Sequence, residues 1–320
     1  MRILLWHVHG SWTTAFVQGE HEYVLPVLPD RGPDGRGRAR TWHWPSSVTE
    51  RTPNQLRHED IDVVILQRLH EIQLTEEWLG RRPGYQLPAV FLEHNAPEPH
   101  PVHSRHPLAD QSRIPLVHVT PFNELFWDNG QAGTYVIDHG VVDPGDRYSG
   151  ELARAAVVVN EPVRRGRMVG TDLLPALGEA APIDVFGMQA DALPAAAWLR
   201  TYDLPDQAAL HAELARRRVY VHPVRWTSLG LSLIEAMLLG LPIVAVAATE
   251  VVSAVPPDAG VITTDRRRLQ MGIREFLQDA ELARLAGKAA RRAALERYGV
   301  PRFLADWNRV LGEVSKEVVA

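Results

Sequence analysis

The segment Val219–Ala247, VYVHPVRWTSLGLSLIEAMLLGLPIVAVA, constrains the fold more than any other. Val219–Val221 is β-branched and aromatic, the composition of a buried strand. Thr227–Gly230 is a polar turn, and Leu231–Leu239 a short helix closed by Gly240. Pro242 restarts the chain ahead of a second buried strand over Ile243–Ala247. The predicted helix is apolar on almost every face, so it is buried all round. Its one charge is Glu235. A carboxylate in such a helix is costly unless something pairs with it.

The rest of the chain repeats this alternation. In the first half, strands are predicted at Ile3–Val8, Asp62–Leu66, Ala89–Leu92, Leu116–Val119 and Tyr135–Ile137. Helical pieces are expected at Thr13–Gln18, Glu76–Leu79 and Asn123–Trp127. Residues 29–40 (PDRGPDGRGRAR) read as a polar, mobile loop. A Pro/Gly/Asp/Ser linker at Asp143–Gly150 marks a boundary, after which the count restarts. Strands follow at Ala156–Val159, Ile183–Phe186 and Gly260–Thr263, with a basic loop at Glu161–Arg167. Helices are predicted at Met168–Leu177, Gln207–Arg217, Arg266–Gln278, Glu281–Arg297 and Phe303–Val314. Strands alternating with helices pair in parallel. The fold class is therefore α/β: two Rossmann-like doubly wound domains facing a central cleft. The expected divisions are 1–144, 145–300 and a C-terminal helical segment 301–320.

In such sheets ligands bind beyond the carboxyl ends of the strands. His9–Ser11, Glu93–Asn95, Gly187-Met188 and Thr227–Gly230 all follow predicted strands. Asp60-Ile61-Asp62 spells a metal-holding Asp-x-Asp pattern but precedes its strand, so it reads as a solvated strand entry. His100, His103 and His106 lie in a proline-rich loop without cysteine, and no metal site is expected there. His94 and His118 are candidates to orient a substrate, or are hydrogen-bonded structural residues. Trp6, Trp12, Trp42, Trp44, Trp78 and Trp127 offer sugar-stacking faces, although burial is the commoner use.

Composition narrows the partners. The formal net charge of −5 points away from nucleic acid and anionic membranes. There is no cysteine, which fits a reducing, cytoplasmic setting. MRILLWHV reads as a first strand, not a leader peptide. No apolar run approaches the roughly 18 residues of a membrane span. No Gly-x-Gly-x-x-Gly follows the first strand, which disfavours a dinucleotide oxidoreductase.

The run Thr227-Ser228-Leu229-Gly230-Leu231-Ser232-Leu233-Ile234-Glu235-Ala236-Met237, with Gly240-Leu241-Pro242 behind it, resembles the signature of retaining glycosyltransferases of family 4, which have the GT-B fold. Asp138-His139-Gly140-Val141 looks like their domain junction. The resemblance covers the second half well and the first half as architecture. It implies transfer of a sugar from a nucleotide-diphosphate donor to a small-molecule or glycan acceptor, with retention, without metal and without a separate cofactor. By that resemblance Glu235 binds the donor ribose. Gly230, lacking a Cβ, lets the diphosphate approach the backbone at a helix N-terminus, with Leu229, Leu231 and Ser228 around it. Arg165, before Gly166, matches the family's phosphate-binding Lys. The family's Arg position holds Asn160, so Arg164 or Arg225 takes its place. Gly187 matches the glycine after the next strand, and the last helix matches one that crosses back to the first domain. On the acceptor side the expected residues are His9 and His94 as catalytic groups, with Gly10, Ser11 and Asn95 binding the acceptor. The leaving diphosphate can take the acceptor's proton in this fold, so no dedicated base is required.

One position departs from the family. Its first Glu, which contacts the transferred sugar, is Thr227 here, shorter, neutral and able to donate a hydrogen bond. Either the sugar is read differently, or activity is reduced or lost. The alternatives are therefore a GT-B nucleotide-sugar epimerase and an inactive nucleotide- or sugar-binding subunit.

Overall fold

The computed structural model describes residues 1–204 and 206–317. The chain forms two compact units, Met1–Val142 with Val300–Ala320, and Asp143–Gly299. Residues 318–320 of the expected C-terminal segment lie outside the described residues.

The first unit holds a parallel sheet of β1 (Arg2–Leu5), β2 (Glu22–Pro26), β3 (Val48–Arg51), β4 (Val63–Leu66), β5 (Ala89–Glu93), β6 (Leu116–His118) and β7 (Thr134–Val136). Their spatial order is β3-β2-β1-β4-β5-β6-β7, with Ile3 opposite Val63 and Phe91 opposite Leu116. Its helices are α1 (Gly10–Phe16), α2 (Pro53–Leu56), α3 (Glu71–Leu79) and α4 (Pro121–Phe126). The second unit holds β8 (Leu152–Val158), β9 (Ile183–Phe186), β10 (Leu199–Tyr202), β11 (Arg217–His222), β12 (Ile243–Val246) and β13 (Gly260–Thr263), ordered β10-β9-β8-β11-β12-β13 and again all parallel. Its helices are α5 (Pro162–Arg165), α6 (Leu174–Gly178), α7 (Gln207–Arg216), α8 (Leu231–Leu239), α9 (Val251–Ala254), α10 (Arg266–Gln278) and α11 (Ala280–Tyr298). The final helix, α12 (Val300–Glu317), belongs to the first unit. Each sheet reverses direction of growth at one point, between β1 and β4 and between β8 and β11.

Parallel strands need apolar side chains on both faces, and the buried residues supply them. Leu4, Val64, Leu66, Phe91 and Leu116 build one core; Val157, Val185, Val219, Val221 and Val244 build the other. Between β8, β9 and β11 lies a fully buried carboxylate, Asp184. Arg154 Nε donates to its Oδ1 at 2.6 Å and Arg217 Nε to its Oδ2 at 2.8 Å. In the first unit α12 packs on α1: the Trp307 ring lies 5.1 Å from Phe16 and 5.6 Å from Trp12. Trp6, Trp12, Trp44 and Trp127 are buried, so the aromatic face of this half is mostly core.

Four readings of the sequence are corrected. Helix Met168–Leu177 is broken into two 3-10 turns, Gly166–Val169 and Thr171–Leu173, and α6. The break is at Gly170, left-handed at φ 78°, where a Cβ would lie 2.1 Å from the Pro223 carbonyl oxygen. Strands β2, β3 and β10 are additional; each is short and carries charged residues among its apolar ones. Residues 29–40 are not a loose loop. Glu50 accepts both Arg31 guanidinium nitrogens, at 2.9 and 3.0 Å, and the Arg38 N–H at 2.7 Å. The basic loop at 161–167 contains the single turn α5.

Helix α8 is buried from Leu233 to Leu239, as its apolar circumference requires. Gly240 closes it in the left-handed conformation, φ 89°. Helix α11 crosses so closely that a Cβ at Gly287 would lie 1.9 Å from the Gly240 carbonyl oxygen. Backbone cannot yield as a side chain does, so Gly287→Ala is expected to push the helices apart. The cost is about 1–3 kcal/mol of unfolding free energy in urea titration. An unchanged midpoint would show that α11 does not set the position of α8.

Candidate functional site

In the second unit, the loops after β8, β9 and β11 meet at the reversal point of the sheet, where doubly wound folds take ligands. They are bonded to one another. Met188 N–H donates to Asn160 Oδ1 at 2.9 Å, and Glu161 N–H to the Met188 carbonyl at 2.8 Å. Arg225 and Trp226 both donate backbone N–H to the Met168 carbonyl, at 2.9 and 3.2 Å. Gly187 makes the first junction possible. Its φ is 139°, and a Cβ there would lie 2.3 Å from the Val159 carbonyl oxygen.

The β11–α8 turn carries Thr227 half-buried, Ser228 and Leu229 buried, and Gly230 and Leu231 at the helix start, half-buried. The reason for glycine at 230 is local: at φ −70° any residue fits the backbone, but a Cβ would lie 2.9 Å from His222 Cε1. Glu235, one turn further on, is 4% exposed. Its Oε2 accepts from Gln207 Nε2 at 2.8 Å and lies 3.5 Å from His211 Nε2. So α7 supplies the partners that the buried helix demands. Sequence reasoning passed over Gln207 and His211 because they sit on an amphipathic helix, not after a strand.

The arginines of this face are engaged. Arg164 is exposed and donates to both carboxylate oxygens of Glu161. Arg225 forks onto Asp172 at 2.6 and 3.0 Å, and Arg167 reaches the same carboxylate at 2.8 Å. Arg165 is half-buried on α5. An anion arriving here would compete for guanidinium groups already held in place.

In the first unit, three histidines collect after the strands. The His9 ring, preceding α1, lies 4.0 Å from His94, which follows β5. His94 lies 6.4 Å from His139, nearly parallel to it, beyond β7. Gln67, after β4, orients the middle ring. Gln67 Nε2 donates to the Trp6 carbonyl at 2.8 Å, which leaves Oε1 to accept from His94 Nε2 at 2.9 Å. The His94 lone pair is therefore on Nδ1. Burial lowers all three ring pKa values, His9 to about 4 and His139 to about 3; the Arg36 and Arg68 charges add to the effect on His9, and His9 adds to it on His94 and His139. The cluster is neutral near pH 7, fit to accept or donate one hydrogen bond per ring.

Gly10 and Ser11 open α1 beside His9. Asn95 is exposed and stands apart, lining a cavity of about 280 Å³ with Arg68, Glu93 and Trp127. His118 is structural, with Nε2 2.9 Å from Asn129 Oδ1. His106 turns to Glu93, 3.2 Å away, while His100 and His103 stack on each other at 4.4 Å. Asp62 Oδ2 accepts the Arg2 N–H at 2.6 Å, a strand-entry role. Among the described residues no group of three or more His, Asp or Glu is placed to hold a metal ion. No described helix is long and apolar enough to cross a membrane. His139 and Gln67 were legible in principle, since both follow strands.

Comparison with known proteins gives a partial family match and a fold. Residues 203–293 match the model of glycosyl transferases group 1. No curated protein matches the chain in sequence. Among solved structures, sucrose-phosphate synthase from Thermosynechococcus elongatus superposes with a TM-score of 0.71 at 12% identity, covering 98% of both chains. HepE from Anabaena, in complex with UDP-glucose, gives 0.68 at 14% identity, covering 98% of this chain and 100% of that one. TarM from S. aureus, in complex with fondaparinux, α-GlcNAc-glycerol and UDP, gives 0.62 at 14% identity over 78% of this chain. This chain spans 55% of TarM. The architecture is the GT-B fold, and the group 1 match supports the glycosyltransferase class expected from the motif. The match takes in α7, α8 and the first part of α11, so Gln207, Gly230 and Glu235 all lie within it.

The histidine cluster has a measurable signature. Folded pKa values of about 4 for His9 and about 3 for His139, with about 4 for the separate His118, lie below the unfolded value near 6.5. The unfolded chain then binds more protons in that window, so stability is full above pH 6.5 and is lost as the pH falls toward 4. Urea titrations between pH 6.5 and 4 should show His139→Asn flattening the dependence by up to about 1.4 kcal/mol per pH unit. An equal slope in the variant would mean that His139 does not stay neutral in the fold.

Proposed function

We propose that this chain is a family 4-type glycosyltransferase that moves a sugar from a nucleotide-diphosphate donor to an acceptor hydroxyl, with retention and without a metal. The observation that carries the reading is the position of Glu235. It is a buried carboxylate on the helix that opens at the reversal point of the second sheet, inside the group 1 match. A carboxylate there suits a ribose diol, which donates two hydrogen bonds. The N-terminus of α8 faces an anion favourably, and Arg164 and Arg165 supply cations that offset charge on the departing diphosphate. HepE and TarM were both solved with UDP, so a uridine diphosphate sugar is the first donor to test.

In this reading residues 145–300 form the donor domain and 1–144 the acceptor side, with the 301–320 segment tied to the latter. His9 and His94, neutral and oriented, position hydroxyl groups. The leaving phosphate oxygen takes the acceptor's proton as the new glycosidic bond forms, so neither ring must change charge. No separate cofactor takes part, and the setting is cytoplasmic.

Glu235→Ala is expected to weaken UDP binding at least tenfold in calorimetry, about 1.4 kcal/mol, while circular dichroism stays unchanged. Equal affinity in the variant would remove the donor-site reading. A second reading, a nucleotide-binding subunit without transfer activity, is favoured by Thr227 alone. Thr227→Glu separates the two. Introducing the longer carboxylate should change which UDP-sugars are hydrolysed or transferred across a donor panel. The same null result with both proteins would favour the inactive subunit.

A further inference from the structure

We infer that the cavity between the end of β1 and the β2–β3 connection holds the charged end of the acceptor, a small polyol bearing a phosphate or carboxylate. The word acceptor rests on the transfer reading above; the binding itself does not. The cavity is a cleft open to solvent, with a volume of about 400 Å³, and its polar lining is His7, Asp30, Arg31, Arg36, Arg38 and Arg40. That is room for one phosphorylated sugar.

The four arginines divide into two pairs. Arg31 is neutralised by Glu50, with two parallel bonds of 2.9 and 3.0 Å. Arg38 spends its guanidinium on backbone carbonyls, Trp44 at 2.8 Å, Pro45 at 3.1 Å, and Val48. These two build the wall. Arg36 and Arg40 are exposed and make no side-chain hydrogen bond or ion pair with any described residue. The lining carboxylate, Asp30, accepts from Gly32 N–H at 3.2 Å. Two uncommitted guanidiniums on one concave surface repel each other, and a bidentate oxyanion relieves that repulsion.

His7, on the cavity wall, is polar in a defined sense. His7 Nδ1 lies 3.1 Å from the Gly37 carbonyl, which can only accept. Nδ1 therefore carries the hydrogen, and Nε2 presents a lone pair. The Trp44 ring, edge-on at 4.9 Å, holds the imidazole in this pose. His7 Nε2 and Trp42 Nε1 lie 3.8 and 3.4 Å from the point where a Cβ at Gly10 would sit. One accepts and one donates, as a polyol hydroxyl requires; His7 lines the cavity and Trp42 stands beside it, next to Gly10. Burial and the charge of Arg36 lower the His7 pKa, which keeps that lone pair available. Arg36 also depresses His9, so its charge reaches the reversal point of the first sheet.

The test is calorimetry on the full chain with three matched probes: glucose 6-phosphate, glucuronate and glucose, each at low and raised salt. At least one anionic sugar should bind tenfold or more tightly than glucose, with affinity falling as salt rises. Which anion binds identifies the group as phosphate or carboxylate. The double variant Arg36→Gln/Arg40→Gln should lose that preference tenfold or more and keep UDP affinity within twofold. The inference is overturned if all three probes bind alike, as they would to a merely solvated basic patch. It is also overturned if the double variant keeps the preference, or if UDP affinity falls in step, which would assign the cavity to the donor. Absence of UDP binding by the parent chain, with anion preference intact, would instead fail the donor reading and leave this one standing.

Discussion

A fully buried carboxylate holds the second unit together. Asp184 has no contact with water, yet both of its oxygens accept from guanidinium groups, Arg154 on β8 and Arg217 on β11. Burying one such charge alone is prohibitive. Burying it between two arginines binds three adjacent strands, because each strand contributes one member of the group. Arg217 is stabilised further by Glu213 and by the Phe186 ring, 5.0 Å from its guanidinium. The cluster sits near the start of β9 and β11, leaving the opposite strand ends to carry the loops.

Those loops are built on a different principle. Charge fixes the strand starts, whereas missing side chains fix the strand ends. Gly187 lets the β9 loop close on Val159, Gly230 lets the α8 turn close on His222, and Gly287 lets α11 close on Gly240. At Gly187 and Gly287 the neighbour is a backbone carbonyl oxygen, which cannot yield; at Gly230 it is the His222 ring, which a larger residue would have to displace. Gly230 and Gly287 allow close approach at the two ends of α8, the helix that carries Glu235. The carboxylate that looks anomalous in a greasy helix accepts a hydrogen bond from Gln207 on α7.

Much of this was legible from residue order alone. The stretch Val219–Ala247 announces β11, α8 and β12 through composition and punctuation. The helix α10 runs over Arg266–Gln278 as its periodicity predicts. What was not legible has identifiable causes. The strands β2, β3 and β10 are short and carry Glu22, Glu50 and Arg200, charges that mask an apolar signal. The break at Gly170 is imposed by Pro223, a residue remote in sequence. The histidine cluster was half visible: His9, Gln67, His94 and His139 all follow predicted strands, but that they meet depends on the order of the strands in the sheet. The segment 29–40 read as a loose loop because Glu50, which ties down Arg31 and the Arg38 N–H, lies on a strand that the pattern did not reveal.

The packing of α12 has a consequence for biosynthesis. Trp12 and Phe16 on α1 are covered by Phe303 and Trp307, so one face of the first sheet's helical layer is completed by residues from the far end of the sequence. The ribosome delivers the first unit's strands early and this cover late. Until Trp307 has emerged, the nascent chain carries an apolar groove lined by Trp12 and Phe16, open to water or to a chaperone. The second unit, continuous from Asp143 to Gly299, carries no such debt. It can close before the unit that precedes it in the sequence is finished.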